Sequence, residues 1–179
     1  MKILIFGASG SGTTTLGKAI EKETGFVHLD VDDYYWRKTE PLFVEKVPLQ
    51  ERNEHLKQDF EHYDHVVMSG SMVSWGKEWE VAFDLAIFLY LDNEERMDRL
   101  QKRENERYGN LLETDQEIQK NSKAFLQWAN RYENDDFEGR SLKIHKNWMK
   151  KLDCPVLQID GSLELPNKVH LVMTKLKTI

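Results

Sequence analysis

The sequence predicts an α/β fold, a mainly parallel β-sheet covered by helices. Three observations lead there. Short apolar runs recur along the chain, as strands buried on both faces of a parallel sheet require. Helical stretches separate them, so strands and helices alternate. The first run, Ile3-Leu4-Ile5-Phe6, passes straight into a loop dense in glycine and hydroxyl side chains.

The elements follow in order. Residues 3–6 make the first strand, 7–15 the loop and 16–24 a helix, with Gly25 where a helix C-terminal glycine belongs. A second strand over 26–29 ends at Asp30. Pro41 and Pro48 bracket an irregular segment, and 49–63 is a charged amphipathic helix. A third strand over 65–69 runs into Ser69-Gly70-Ser71. The run 85–91 is the most apolar and reads as a central strand. Helix 93–107 breaks at Tyr108-Gly109-Asn110, and two further helices, 115–132 and 138–151, form an insert. A strand over 156–159 ends in Asp160-Gly161-Ser162, and a helix over 165–177 closes the chain. The expectation is one domain, residues 1–179, with a helical insert at about 105–151.

A chain of 179 residues can bury a full core in one domain. Its 31% charged residues are of both signs and interspersed, with a net charge of −6. That argues against a nucleic-acid partner, whose backbone demands a clustered basic surface. Cys154 is the only cysteine, so no internal disulfide forms and a reducing, cytoplasmic setting is expected. No stretch approaches the ~20 apolar residues of a membrane span, so no membrane partner is expected.

Gly7-Ala8-Ser9-Gly10-Ser11-Gly12-Thr13-Thr14-Thr15 carries the functional argument. A phosphate-binding loop reads glycine, four residues, glycine, lysine, then serine or threonine. Gly7, Gly12 and Thr14 match, and Thr13 stands at the lysine position. Backbone N–H groups wrapped around a phosphate need unusual dihedrals with no Cβ in the way. The helix that follows adds unpaired donors and the positive end of its dipole. Thr14 is then placed to ligate Mg²⁺. Two other readings compete: a glycine-rich turn without a ligand, and a dinucleotide site with Asp30, 18 residues after Gly12, on a ribose. The glycine spacing does not match the dinucleotide fingerprint.

With these motifs the chain resembles the P-loop kinases of the adenylate kinase and shikimate kinase type along nearly its whole length. The resemblance implies a three-layer α/β/α P-loop NTPase sandwich, its five-stranded parallel sheet in the order 2-3-1-4-5, with a helical lid insert. It also implies ATP and Mg²⁺ as cofactors and transfer of the γ-phosphoryl group to a small-molecule acceptor. Residues 8–15 would cradle the phosphates, and Gly161 matches the loop that supports adenine. In shikimate-kinase-like proteins the second aspartate of a D-x-D motif directs metal or acceptor, which maps to Asp32; Asp30 and Asp33 flank it. Arg103 or Arg107 matches the lid-entrance arginine, and Arg131 and Arg140 match lid arginines.

The departure lies at Thr13. Phosphoryl transfer relies on cations that neutralise charge on the β- and γ-phosphates, and threonine brings none. Losing one such stabiliser costs about 10²–10³ in rate, so nucleotide binding with little turnover is the second reading. Arg96, Arg99, Arg103 and Arg107 are spaced by three, four and four residues, which sets them on one helix face. Arg96 and Arg99 read as a solvated face paired with Glu95 and Glu106. On the acceptor side Arg37 and Arg52 are the nearest cations, each expected at the surface, and Gly70 and Trp75 would line the pocket. Phe125, Trp128, Ala129 and Tyr132 form a stripe at helical spacing, read as packing of the insert or as a hydrophobic lid.

Overall fold

In β1 (Lys2–Gly7) the residues Ile3, Leu4, Ile5 and Phe6 are all fully buried, because helices cover both faces of the strand. The computed structural model describes residues 1–40 and 42–179; Pro41, one of the two prolines expected to bracket an irregular segment, lies outside them. Ile3 and Ile5 pack with Leu16 and Ile20 of α1 (Thr13–Thr24) and Val172 of α8 (Leu165–Leu176). Leu4 and Phe6 face the other way, onto Leu56 and Phe60 of α3 (Leu49–His62) and Trp148 of α7 (Leu142–Met149). Two apolar layers result, one on each side of the sheet.

The sheet adds β2 (Val27–Asp30), β3 (Val66–Ser69), β4 (Leu85–Tyr90) and β5 (Val156–Asp160). Its order is β2-β3-β1-β4-β5 and every pairing is parallel, as expected. Dinucleotide-binding sheets run 3-2-1-4-5-6 instead, so the fold gives that reading no support. Register sets Ser69 beside both Ile5 and Asp30, Gly7 beside Leu89, and Tyr90 beside Asp160. All five strands therefore end at one edge, where open α/β sheets place their ligands.

Several boundaries differ from the sequence reading. A short helix, α2 (Val31–Tyr35), leaves β2 directly, because the Asp30 carboxylate accepts the Asp32 N–H and caps it. After it, Trp36 and Lys46 form an antiparallel bridge. The helix expected from 138 begins only at Leu142, where the Ser141 side chain caps it by accepting the Ile144 N–H.

The insert comprises α5 (Leu111–Thr114) and α6 (Gln116–Asn130), which pack on each other and on α4 (Asn93–Tyr108). α7 behaves differently. Trp148 stands edge-on to Phe6 at 5.2 Å, and Leu142 and Met149 join the same core cluster. The second half of the expected insert is thus part of the layer that covers the sheet. Among the described residues, no helix is long and apolar enough to cross a membrane.

Candidate active site

The loop between β1 and α1 has the build of an anion cradle. Gly10 and Gly12 hold φ of 86° and 94°, a left-handed backbone that side chains with a Cβ resist. At Gly7 a Cβ would come within 2.4 Å of the Leu89 carbonyl oxygen. The Ser11 N–H closes on the Ala8 carbonyl at 3.1 Å, and the fully buried Ser11 hydroxyl has no partner among the described residues. Gly12 begins α1 with no side-chain cap and no acid in the first turn, which leaves the helix's first N–H groups to a ligand. These features fit a phosphate group.

Thr14 and Asp30 form the cradle's polar rim. The Thr14 hydroxyl donates to Asp30 Oδ2 at 2.7 Å while Oδ1 takes the Asp32 N–H at 3.0 Å. The carboxylate beside Thr14 is therefore Asp30, where the sequence reading had assigned metal to Asp32. The reason is the cap: α2 starts on Asp30 and carries Asp32 onward. Thr13 is half-buried and Thr15 exposed at the start of α1. At the opposite side Gly161 donates its N–H to the Tyr90 carbonyl at 2.6 Å and accepts from buried Lys168 at 2.9 Å.

Asp32 meets the arginines. Partial desolvation, then the charge of Asp30, raises its carboxyl above the ordinary aspartate range, while Arg140 and Arg103 pull it back; part of the residue stays open to solvent. Arg103 lies 5.6 Å over the Phe125 ring and Arg140 5.3 Å over Trp128. Burial lowers both arginine pKa values, and Asp32 partly restores them; guanidinium stays charged regardless. Two members of the apolar stripe, Phe125 and Trp128, thus carry cations, while Ala129 and Tyr132 are packed inside.

Arg52 corrects its surface assignment. It is 9% exposed, with its guanidinium carbon 4.2 Å from the Tyr35 ring and 4.5 Å from that of Trp75. Its Nε has no hydrogen-bond partner, and among the described residues no carboxylate pairs with it. Arg140 is close enough for the two charges to repel. Arg37, by contrast, is held by Glu45 at 2.8 Å and Glu51 at 3.2 Å. Trp75 is 3% exposed, so it backs Arg52 instead of lining open space. At Gly70 a Cβ would meet Val31 at 2.7 Å, so glycine lets the β3 loop lie against α2. Asp33 faces a separate open groove with Arg37, His55 and Asp59.

The other α4 and insert arginines are dispersed. The helical spacing holds, but the arginines of α4 differ in burial: Arg96 is fully buried, along with Leu100 and Glu104 further down the helix. It pairs with Glu133 at 2.7 Å, so its assignment to a solvated face fails. Arg99 does pair with Glu95, at 2.6 Å, yet its Nη1 lies 3.9 Å from where a Gly12 Cβ would be. Arg107 sits 4.2 Å over Phe43 and 3.4 Å from Glu104, and Arg131 4.5 Å over Phe137. Arg107 is close enough to Arg103 for their charges to repel.

One group has no counterpart in the sequence reading. His145 is fully buried between the Tyr132 hydroxyl, 2.7 Å from Nδ1, and the Ser71 hydroxyl, 2.9 Å from Nε2. Burial, helped by Arg140, pushes its pKa down to about 3. The only signal was its helical spacing to Trp148, which does not distinguish a core histidine from a surface one.

A family model described as "AAA domain" matches residues 3–120. The chain belongs to this family of P-loop proteins. It is 38% identical to the uncharacterized protein YqaC of Bacillus subtilis (strain 168), over 98% of this chain and 97% of that one. Among solved structures, a shikimate kinase from Bacteroides thetaiotaomicron superposes with a TM-score of 0.61 at 18% identity, covering 99% and 98% of the two chains. A deoxyadenosine kinase from M. mycoides with bound dATP gives 0.59 at 19%, covering 99% and 100%. The family member thus has the fold of the P-loop nucleotide and small-molecule kinases.

Proposed function

We propose that the protein is a cytoplasmic kinase that transfers the γ-phosphoryl group of ATP to a hydroxyl of a small anionic molecule. The observation that carries this reading is Arg52, which is buried against Tyr35 and Trp75 and stands near Arg140, with Arg140 and Arg103 in turn near Asp32, beside a phosphate cradle. Arg52 is stacked on aromatic rings and, among the described residues, has no acid paired with it, which leaves its positive charge for an anionic ligand to neutralise. The kinase-like neighbours, one with dATP bound, support the donor assignment.

Loop residues 8–12 and the N-terminus of α1 would hold the phosphates. Thr14 and Asp30 would hold Mg²⁺, directly or through water, which when bound neutralises phosphate charge. Asp32 orients the acceptor hydroxyl and takes its proton as the new P–O bond forms and the bond to ADP breaks. Arg103 and Arg140 supply the charge that Thr13 does not. Arg107 and Arg131 would join only after leaving Phe43 and Phe137.

Calorimetric titration with ATP and ADP, followed by radiolabelled ATP with a panel of hydroxylated carboxylates, phosphate monoesters and neutral polyols, tests this. Turnover is expected with the acidic acceptors only. In that assay Arg52→Met should raise the acceptor KM about 10–100-fold, as removal of a charged hydrogen-bonding group does, and Arg37→Ala should leave it unchanged. Turnover confined to neutral acceptors would reject the anionic class. The Thr13 substitution favours a second reading, nucleotide binding without turnover; ATP binding with a silent panel that Thr13→Lys fails to awaken would support it.

A further inference from the structure

Arg96 is the largest fully buried side chain among the described residues. Its Nη1 donates to the carbonyls of Ser9, in the phosphate loop, at 3.4 Å and of Ala129, in the last turn of α6, at 3.3 Å. Nη2 donates to Asn93 Oδ1 at 2.9 Å and to both Glu133 oxygens at 2.9 and 2.7 Å. The Tyr132 ring lies 5.0 Å away, and Nε has no partner. Packed apolar residues often replace such a buried ion pair at no loss of stability. What the arginine uniquely supplies is a rigid fork that fixes several carbonyls at once.

The direction of that fork bears on the loop. A trans peptide carries its C=O and N–H on opposite sides. With the Ser9 carbonyl turned to Arg96, the Gly10 N–H is turned away from it, and the left-handed φ of 86° at Gly10 continues the curl. Leu100 packs within 3.0 Å of where a Gly10 Cβ would stand, so α4 braces the same peptide. Glu133 balances the charge of Arg96, which leaves orientation as its contribution.

We propose that Arg96 is a positioning residue that locks the Ser9–Gly10 peptide of the phosphate loop to the C-terminal turn of α6, so that the insert's seating and the loop's grip on phosphate change together. The part of this concerning phosphate rests on the nucleotide-binding reading above. The link itself does not.

The test uses the full chain, wild type and Glu133→Gln, with Arg96→Lys and, as a control, Glu106→Gln, which breaks the exposed pair of Glu106 with Lys102 at 3.9 Å. ADP affinity is measured by calorimetry well below each melting temperature, and amide hydrogen exchange is followed in the loop and α6. Glu133→Gln keeps the shape but releases the fork. It is expected to weaken ADP about tenfold, the scale of one hydrogen bond to a charged group. It should also speed exchange in the loop and in the last turn of α6 together. Arg96→Lys, with its charge but no fork, should behave alike, and Glu106→Gln like wild type. Unchanged or tighter ADP binding in Glu133→Gln, or faster exchange confined to α6, would overturn the proposal. If wild type binds no ADP, the nucleotide reading falls, and the exchange pattern alone then decides the link: a joint rise upholds it, a rise in α6 alone refutes it.

Discussion

Asp32 and Asp30 are two residues apart and face different tasks. Asp30 bonds Thr14 and caps α2, while the Asp32 carboxyl is raised by desolvation and by Asp30 and held back by the charges of Arg140 and Arg103. A raised carboxyl is the better proton acceptor near neutral pH. Activity should therefore fall on the acid side as Asp32 takes up its proton, at a pH above that of an ordinary aspartate. Asp32→Asn should lower kcat about 10²–10⁴-fold, the usual span for a general base. The residual rate should have lost that acid limb; a pH profile identical to wild type would remove Asp32 from the proton path. The aspartates are legible in the sequence, but a pattern of D-x-D carries no information on which carboxylate caps the next helix, and here it is Asp30. Arg52 was misread for a related reason. Its helix is charged overall, and only the fold brings Tyr35 and Trp75 around it.

Elements were more legible than side chains. The five strands are legible as short, mostly apolar runs, broken only by His28 in β2 and Gln158 in β5, and the register that follows places every loop of interest at one edge. Helix α4 was found, but its buried face was misassigned: the apolar position Leu100 is flanked by Arg96 and Glu104, so the inward stripe is mostly ionic. Helix α7 began later than expected because Ser141 caps it, and that cap has a functional side. Arg140 is the residue before Ser141, so the start of α7 sets where this arginine emerges beside Asp32. Removing such a cap costs about 1 kcal/mol. Ser141→Ala should therefore lower the melting temperature modestly and, in the kinase assay, raise acceptor KM with little change in kcat. An unchanged KM would detach Arg140 from the acceptor.

At the level of the whole molecule, the His145 junction ties α7 to the β3 loop through Ser71 and to the end of the insert through Tyr132. Its stability depends on pH in a definite direction. The histidine titrates near 6.5 when unfolded and at about 3 when folded. Between these values the unfolded chain holds the extra proton, so stability is complete above the upper value and declines on acidification, by about 1.4 kcal/mol per pH unit. Chemical denaturation from pH 7 to 4 should show that slope, and His145→Gln, less stable at neutral pH, should flatten it; an equal slope in both would clear His145 of the effect. Trp128 adds a practical corollary. Its indole is half-buried with Arg140 across its face; Trp36 is half-buried as well, and Trp75, Trp79 and Trp148 are sealed in the core, so Trp36→Phe leaves Trp128 the one partly exposed indole. The molecule so carries its own optical gauge: any occupant that draws Arg140 off the ring alters the emission of one tryptophan, and the acceptor can be sought by light before any product is identified.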